Sequence, residues 1–216
     1  MAHNTGSGRA EMAGLAGEAA DCRRCDLYRA ATQVVFGDGP VDAPLVLVGE
    51  QPGDQEDKAG HPFVGPAGRI LDQALAEAGL DRSRLYVTNA VKHFKHEMRG
   101  KRRMHQRPNQ GEIEACRWWL SREIALVQPA VIVALGATAT RSLMGRVVVL
   151  VREGGRPLTW ADGRPGVATY HPSAVLRARD EKARTRTFAV LVAALSQARE
   201  MAVGRWSTID EEQAKL

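Results

Sequence analysis

The sequence predicts an α/β protein with a central four-stranded parallel sheet flanked by helices. Two observations lead there. Four short runs rich in β-branched and aliphatic residues, "PLVLVGE" (44–50), "RLYVTNA" (84–90), "AVIVALG" (130–136) and "GVATYHP" (166–172), each close on polar or glycine residues. Such near-continuous apolar runs are what strands buried on both faces of a parallel sheet require. Between them lie longer stretches with apolar residues at helical spacing, and alternation of strand and helix is the mark of a parallel α/β sheet.

The elements follow in chain order. "MAHNTGSGRAEM" (1–12) is polar and rich in glycine, and is expected to be disordered. It has no basic segment followed by an apolar one, so no secretory leader is expected. After the first strand, Pro66 and Gly79 bracket a helix with Ile70, Leu71, Ala74, Leu75 and Ala78 on one face. After the second, residues 110–127 repeat the pattern through Ile113, Leu120, Ile124 and Val127. A third stripe near the C-terminus runs through Phe188, Leu191, Val192 and Leu195. The stretch 151–166 has turn chemistry and reads as a hairpin or an excursion. One domain over 13–203 and a C-terminal tail over 204–216 complete the division.

With 216 residues, 44% of them apolar, the chain can fill a single core. Apolar runs such as "PAVIVALG" and "RVVVLV" are far too short to cross a bilayer, so a soluble, cytoplasmic protein and a monomer are expected. The net charge of +5 and a pI near 9.4 permit nucleic-acid binding, and the distribution of charge argues for it. Between Lys92 and Arg107 there are seven Lys or Arg and a single acid, Glu97. Lys101, Arg102, Arg103 and Arg107 in this arm are the expected phosphate contacts. A second basic element, 171–186, follows another histidine.

In parallel α/β sheets, ligands gather beyond the strand C-termini, where "GEQPGDQED", "NAVKH" and "YHPS" all fall. The acidic loop carries Glu50, Asp54, Glu56 and Asp57. Carboxylates can orient water or hold a divalent metal, though a solvated acidic turn has the same composition. Phe63 in "HPFVG" reads as a loop aromatic free to stack on a base, with core packing as the alternative. Cys22 and Cys25 form a C-x-x-C, and Cys116 lies on a predicted helix. Three cysteines make no disulfide framework; they fit a metal site one ligand short, or plain thiols.

These blocks resemble the iron–sulfur branch of the uracil-DNA glycosylase superfamily. "GEQPGDQEDKAGHPFVGPAGRIL" is similar to its first motif, "VTNAVKH" to its strand-end motif and "YHPSAVLR" to its last, so the likeness runs from about Cys22 to Arg199. It implies a four-stranded parallel sheet and a 4Fe–4S cluster. Cys22, Cys25 and Cys116 would be three ligands. Where the family usually has a fourth cysteine this chain has His93, with His96 as competitor, and imidazole can ligate iron. The insert "HEMRGKRRMH" and Gln51 after Glu50 resemble the UdgX-type subclass, which excises uracil and stays covalently attached to DNA through a histidine of the insert. The matching residue is His105.

The resemblance implies roles for the remaining residues on uracil-containing DNA, single-stranded DNA included. Phe63 would stack on the flipped base. The Asn89 amide would offer uracil a donor for O4 and an acceptor for N3–H, the reverse of what cytosine needs. His171 would donate to O2 as negative charge develops there. Gln51 would contact the base and Arg177 a phosphate or the pocket. The sugar cation would be quenched either by water held on Asp54 or Asp57, giving a free abasic site, or by His105, with Glu50 accepting the imidazole proton. A non-catalytic module for damaged DNA is the reading from a different class.

Overall fold

A computed structural model of the chain describes residues 5–146 and 155–206. In chain order the elements are α1 (Thr5–Ala20), β1 (Leu45–Gly49), α2 (Asp54–Ala59), α3 (Pro66–Glu77), β2 (Tyr86–Asn89), β3 (His96–Arg99), β4 (Arg102–His105) and α4 (Gln110–Val127). There follow β5 (Val131–Leu135), α5 (Ala137–Met144), β6 (Pro157–Thr159), β7 (Pro165–Thr169), α6 (Ser173–Leu176) and α7 (Glu181–Met201).

The main sheet has five strands in the order β2-β1-β5-β7-β6. The four strands expected from the sequence are all present and pair in parallel. The expected count of four is corrected by β6, which adds antiparallel to β7 through Pro157↔Val167, Leu158↔Gly166 and Thr159↔Pro165. Three residues are too few to carry a period of two, so only turn chemistry showed in the sequence. The hairpin turns at Gly163, with φ of +86°. It is pinned by Trp160, whose Nε1 donates to the Ile132 carbonyl at 3.0 Å.

Alternate strand residues feed two cores. Val46, Val48, Tyr86, Ile132, Ala134 and Ala168 face α1 and α4, while Leu45, Leu47, Val87, Val133, Leu135 and Val167 face α3 and α7. Pleating sends successive side chains to opposite faces, so a strand covered on both sides must be apolar throughout. This is why the strands read as unbroken runs.

Residues 5–12, expected to be disordered, belong to α1 instead. Met12, Leu15 and Ala19 form a short stripe buried in the same cluster as Trp119 of α4. Helix propensity there is low, with four glycines in sixteen residues, and packing overrides it. Residues 1–4, most of the "RVVVLV" run, the start of the 151–166 stretch and tail residues 207–216 lie outside the described residues. Trp206 of the expected tail packs against the second core, under the Arg84 guanidinium at 4.8 Å.

The basic arm is a two-stranded antiparallel hairpin with His96 opposite His105. Gly100, at φ of +59°, supplies the tight turn that a two-residue connection demands. No helix among the described residues is long and apolar enough to cross a membrane.

Candidate active site

The strand C-termini open into a cleft of about 740 Å³, within the usual range of small-molecule sites. Glu50, Gln51, Asp54, Phe63 and Asn89 line it from the β1 and β2 side. His105 and Arg107 enter from the hairpin, and His171 and Arg177 from the segment after β7. The topology thus gathers most of the sequence-predicted site residues in one place.

Asn89 ends β2 and is 2% exposed, yet its Oδ1 has no hydrogen-bond partner. A buried carbonyl oxygen left unpaired in a cleft awaits a donor from a ligand. Gly49 makes the room, since a Cβ there would lie 2.3 Å from Asn89 Oδ1 and 2.5 Å from the Phe63 ring.

Phe63, expected on an exposed loop, is instead buried, and stacks on the His171 imidazole with centroids 5.7 Å apart. Its backbone is left-handed, with φ of +57°, and Gly68 must be glycine because a Cβ would meet the Phe63 carbonyl at 1.8 Å. Phe63 is therefore fixed in the cleft wall.

His171 sits with its Nδ1 2.7 Å from Ser173 Oγ and accepts from Ser173 N–H at 3.2 Å. An accepting Nδ1 assigns the proton to Nε2, leaving that N–H as the group available to a ligand. Burial, with Arg177 and His105 adding to it, pulls the His171 pKa down to about 4. The ring is neutral at pH 7. Arg177 reaches the same Ser173 hydroxyl at 2.8 Å. Ser173 was missed in the sequence, where it reads as an ordinary serine opening a helix.

His105 ends β4 with its Nε2 3.4 Å from Glu50 Oε1. Its side chain is 47% exposed, but the cleft walls and the nearby Phe94 ring strip enough water from it to lower its pKa. Glu50 opposes that shift, and Arg177 and Arg107 reinforce it. Desolvation is the larger cause, and the neighbouring cations add to it. The other Glu50 oxygen, Oε2, accepts from Thr138 Oγ1 on α5.

The rest of the acidic loop serves the scaffold. Glu56 accepts from Gly53 N–H at 3.1 Å and Gly65 N–H at 2.8 Å, capping α2 and α3. Asp57, a candidate for holding water, is fully buried, does not line the cleft, and takes Thr32 N–H at 3.0 Å and Arg103 Nη1 at 2.6 Å. Asp54 does line the cleft, but Lys58 and Arg103 occupy its oxygens and hold its carboxyl below the usual range. Arg103, expected on phosphate, is turned inward to these two carboxylates with 16% of its side chain exposed. Gln51, expected on the base, spends its amide on the hairpin, donating to Lys95 and Gln106 carbonyls and accepting from Lys95 N–H. Lys101, Arg102 and Arg107 remain exposed.

Cys22, Cys25 and Cys116 are free thiols brought to one region from two segments. Cys22 Sγ accepts from Trp119 Nε1 at 3.1 Å and Cys116 Sγ from Lys92 N–H at 3.2 Å. Burial pushes the Cys116 thiol up to about 12 and raises Cys25 as well. His93 is buried, and its charged neighbours are Asp57 and Arg23. His96 stacks on Phe94 at 4.9 Å in β3. The thiols suit iron as donors, but as placed no group of three or more His, Cys, Asp or Glu among the described residues could hold a metal ion.

The family model of the uracil DNA glycosylase superfamily matches residues 36–196. A type-4 uracil-DNA glycosylase of Thermotoga maritima is 39% identical over 164 residues, covering 76% of this chain and 82% of the relative. One from Archaeoglobus fulgidus is 37% identical over 169 residues, covering 74% and 80%. Another, from Sulfurisphaera tokodaii, is 35% identical over 169 residues, covering 74% and 73%.

Proposed function

The chain belongs to the uracil-DNA glycosylase superfamily, and from that premise we propose that it excises uracil from DNA and then keeps the sugar on His105. The observation that carries the reading is the shared cleft: Asn89 with its unpaired Oδ1, the neutral His171 and the His105–Glu50 pair all face one space.

The base must leave the stack to enter. Exposed Lys101, Arg102 and Arg107 grip the strand, Phe63 flanks the base, and Asn89 Oδ1 takes the uracil N3–H. As the C1′–N1 bond breaks, its electron pair leaves with uracil, and His171 Nε2–H donates to O2 where the charge collects. The sugar is left as an oxocarbenium-like cation.

With Nε2 turned to Glu50, Nδ1 carries the attacking lone pair, and a ring flip exchanges the two. The new N–C1′ bond leaves an imidazolium. Its remaining proton passes to Glu50, giving a neutral alkyl-imidazole, a poor leaving group. His105 is neutral before attack because burial lowers its pKa, and only the neutral ring is a nucleophile.

The test is a uracil-containing single-stranded oligonucleotide resolved on a denaturing gel. The native chain is expected to give a denaturant-resistant protein–DNA band, and His105→Ser to give free abasic DNA without it. Uracil release without a band from the native chain would establish the turnover reaction named for its relatives; no release at all would leave a binding module.

The likeness to the iron–sulfur branch of the family, rather than the placement of the thiols, supports a 4Fe–4S cluster held by Cys22, Cys25, Cys116 and His93. When bound, it would tie the N-terminal segment, the loop after β2 and α4 into one unit. No catalytic step is routed through it. Purified protein is expected to carry about four irons per chain and a broad visible absorbance; iron-free protein with full activity would remove the assignment.

A further inference from the structure

The two oxygens of the Glu50 carboxylate have different neighbours. Oε1 faces His105 Nε2 at 3.4 Å, and Oε2 accepts from Thr138 Oγ1. A carboxylate's last torsion is broad, so an unrestrained Glu50 would present either oxygen in many orientations. The Thr138 hydroxyl removes that freedom.

Thr138 reaches Glu50 from a stiff joint. It lies in the first turn of α5, directly after Gly136, whose φ of +96° turns the chain out of β5. Thr140 Oγ1 donates back to the Gly136 carbonyl at 2.9 Å, and a Cβ at Gly136 would come within 3.0 Å of the His171 Cβ. Glu50 is thereby referenced to the same wall that carries His171. Thr138 itself is not among the residues lining the cleft, so it has no call on base or sugar.

We propose that Thr138 is a positioning residue: it locks one oxygen of Glu50 so that the other stands ready for the imidazole proton of His105. The inference rests on His105 being the group that captures the sugar. The other charged or titratable groups around this pair are Arg107 on the hairpin, Arg177 on the opposite wall and His171 beside it. All of them stay in place in the variants used.

Thr138→Val keeps shape and removes the donor; Thr138→Ser keeps the donor; Thr138→Ala serves if valine disturbs folding, as judged by the melting temperature. Each is mixed in excess with a uracil-containing single-stranded oligonucleotide between pH 5.5 and 9, with released uracil and covalent adduct timed separately. Thr138→Val is expected to release uracil at the native rate and to form adduct about tenfold more slowly, the worth of a hydrogen bond to a charged group. Free abasic sites should rise to match, and the deficit should shrink as rising pH lets solvent take the proton. Thr138→Ser should restore the native partition. Native adduct kinetics and pH profile in Thr138→Val would overturn the inference alone. So would equal losses of uracil release and adduct in the valine and serine variants, which mark a structural role. A native chain that frees uracil without adduct would overturn the His105 reading first, and this inference with it.

Discussion

Two acid–base pairs stand at the C-terminal edge of the same sheet, and they are built in opposite ways. Lys92 and Glu123 are sealed, with side chains 2% and 1% exposed. Glu50 and His105 are open, at 20% and 47%. In the sealed pair, Lys92 Nζ donates to Glu123, to Thr88 Oγ1 at 2.6 Å and to the Asn89 carbonyl at 2.8 Å. Glu123 also takes Tyr86 OH at 3.0 Å and Gly37 N–H at 2.9 Å. Every polar atom there is answered from within. The open pair has a long contact on one side and a cleft on the other. Ionisable groups that are fully satisfied make scaffold; those left short of partners are poised for chemistry.

Breaking the sealed pair gives the largest effect. Lys92→Met strands a carboxylate in the core and is expected to cost about 3–5 kcal/mol, measured by denaturant unfolding. Glu50→Gln, at the open pair, should stay within about 0.5 kcal/mol of the native chain. A Lys92→Met protein as stable as Glu50→Gln would erase the distinction between the two sites.

The contrast also shows where sequence reading stops. Lys92 was one of seven cations in a basic arm, and nothing in "NAVKHFKH" marks it as buried. Its partner Glu123 is thirty-one residues away on a helix and reads as one more charged face position. Arg103 likewise belonged to the phosphate footprint, yet turns to Asp54 and Asp57. With Lys92 sealed, Lys95 paired to Glu112 and Arg103 latched, the exposed cations of the arm are Arg99, Lys101, Arg102 and Arg107. Strands were legible because burial on both faces writes itself into an unbroken apolar run. Asn89 was legible because it ends its strand, and His171 because it lies two residues beyond the end of β7. The latch, the Thr138 contact and the α1 stripe depend on which segments meet in space, and a local window does not carry that.

A smaller effect sharpens the comparison by pH. His171 lies in the wall of the open site with its pKa drawn from an ordinary 6.5 to about 4, chiefly by burial and then by Arg177 and His105. The unfolded chain therefore binds this proton more readily than the folded one between those values. Stability rises with pH wherever the unfolded state holds more protons. The contribution is intact above about pH 6.5 and is lost as pH falls toward 4, by at most about 3 kcal/mol. His105, also lowered by burial, acts in the same direction. Unfolding midpoints of the native chain and His171→Gln at pH 7 and 4.5 provide the measurement. The native midpoint should fall further on acidification than that of the variant, which has no imidazole to charge at this position. Equal falls would place the acid sensitivity in His105, since the latch carboxylate Asp54, whose pKa is depressed by Lys58 and Arg103, keeps its stabilisation until pH drops below the ordinary carboxylate range.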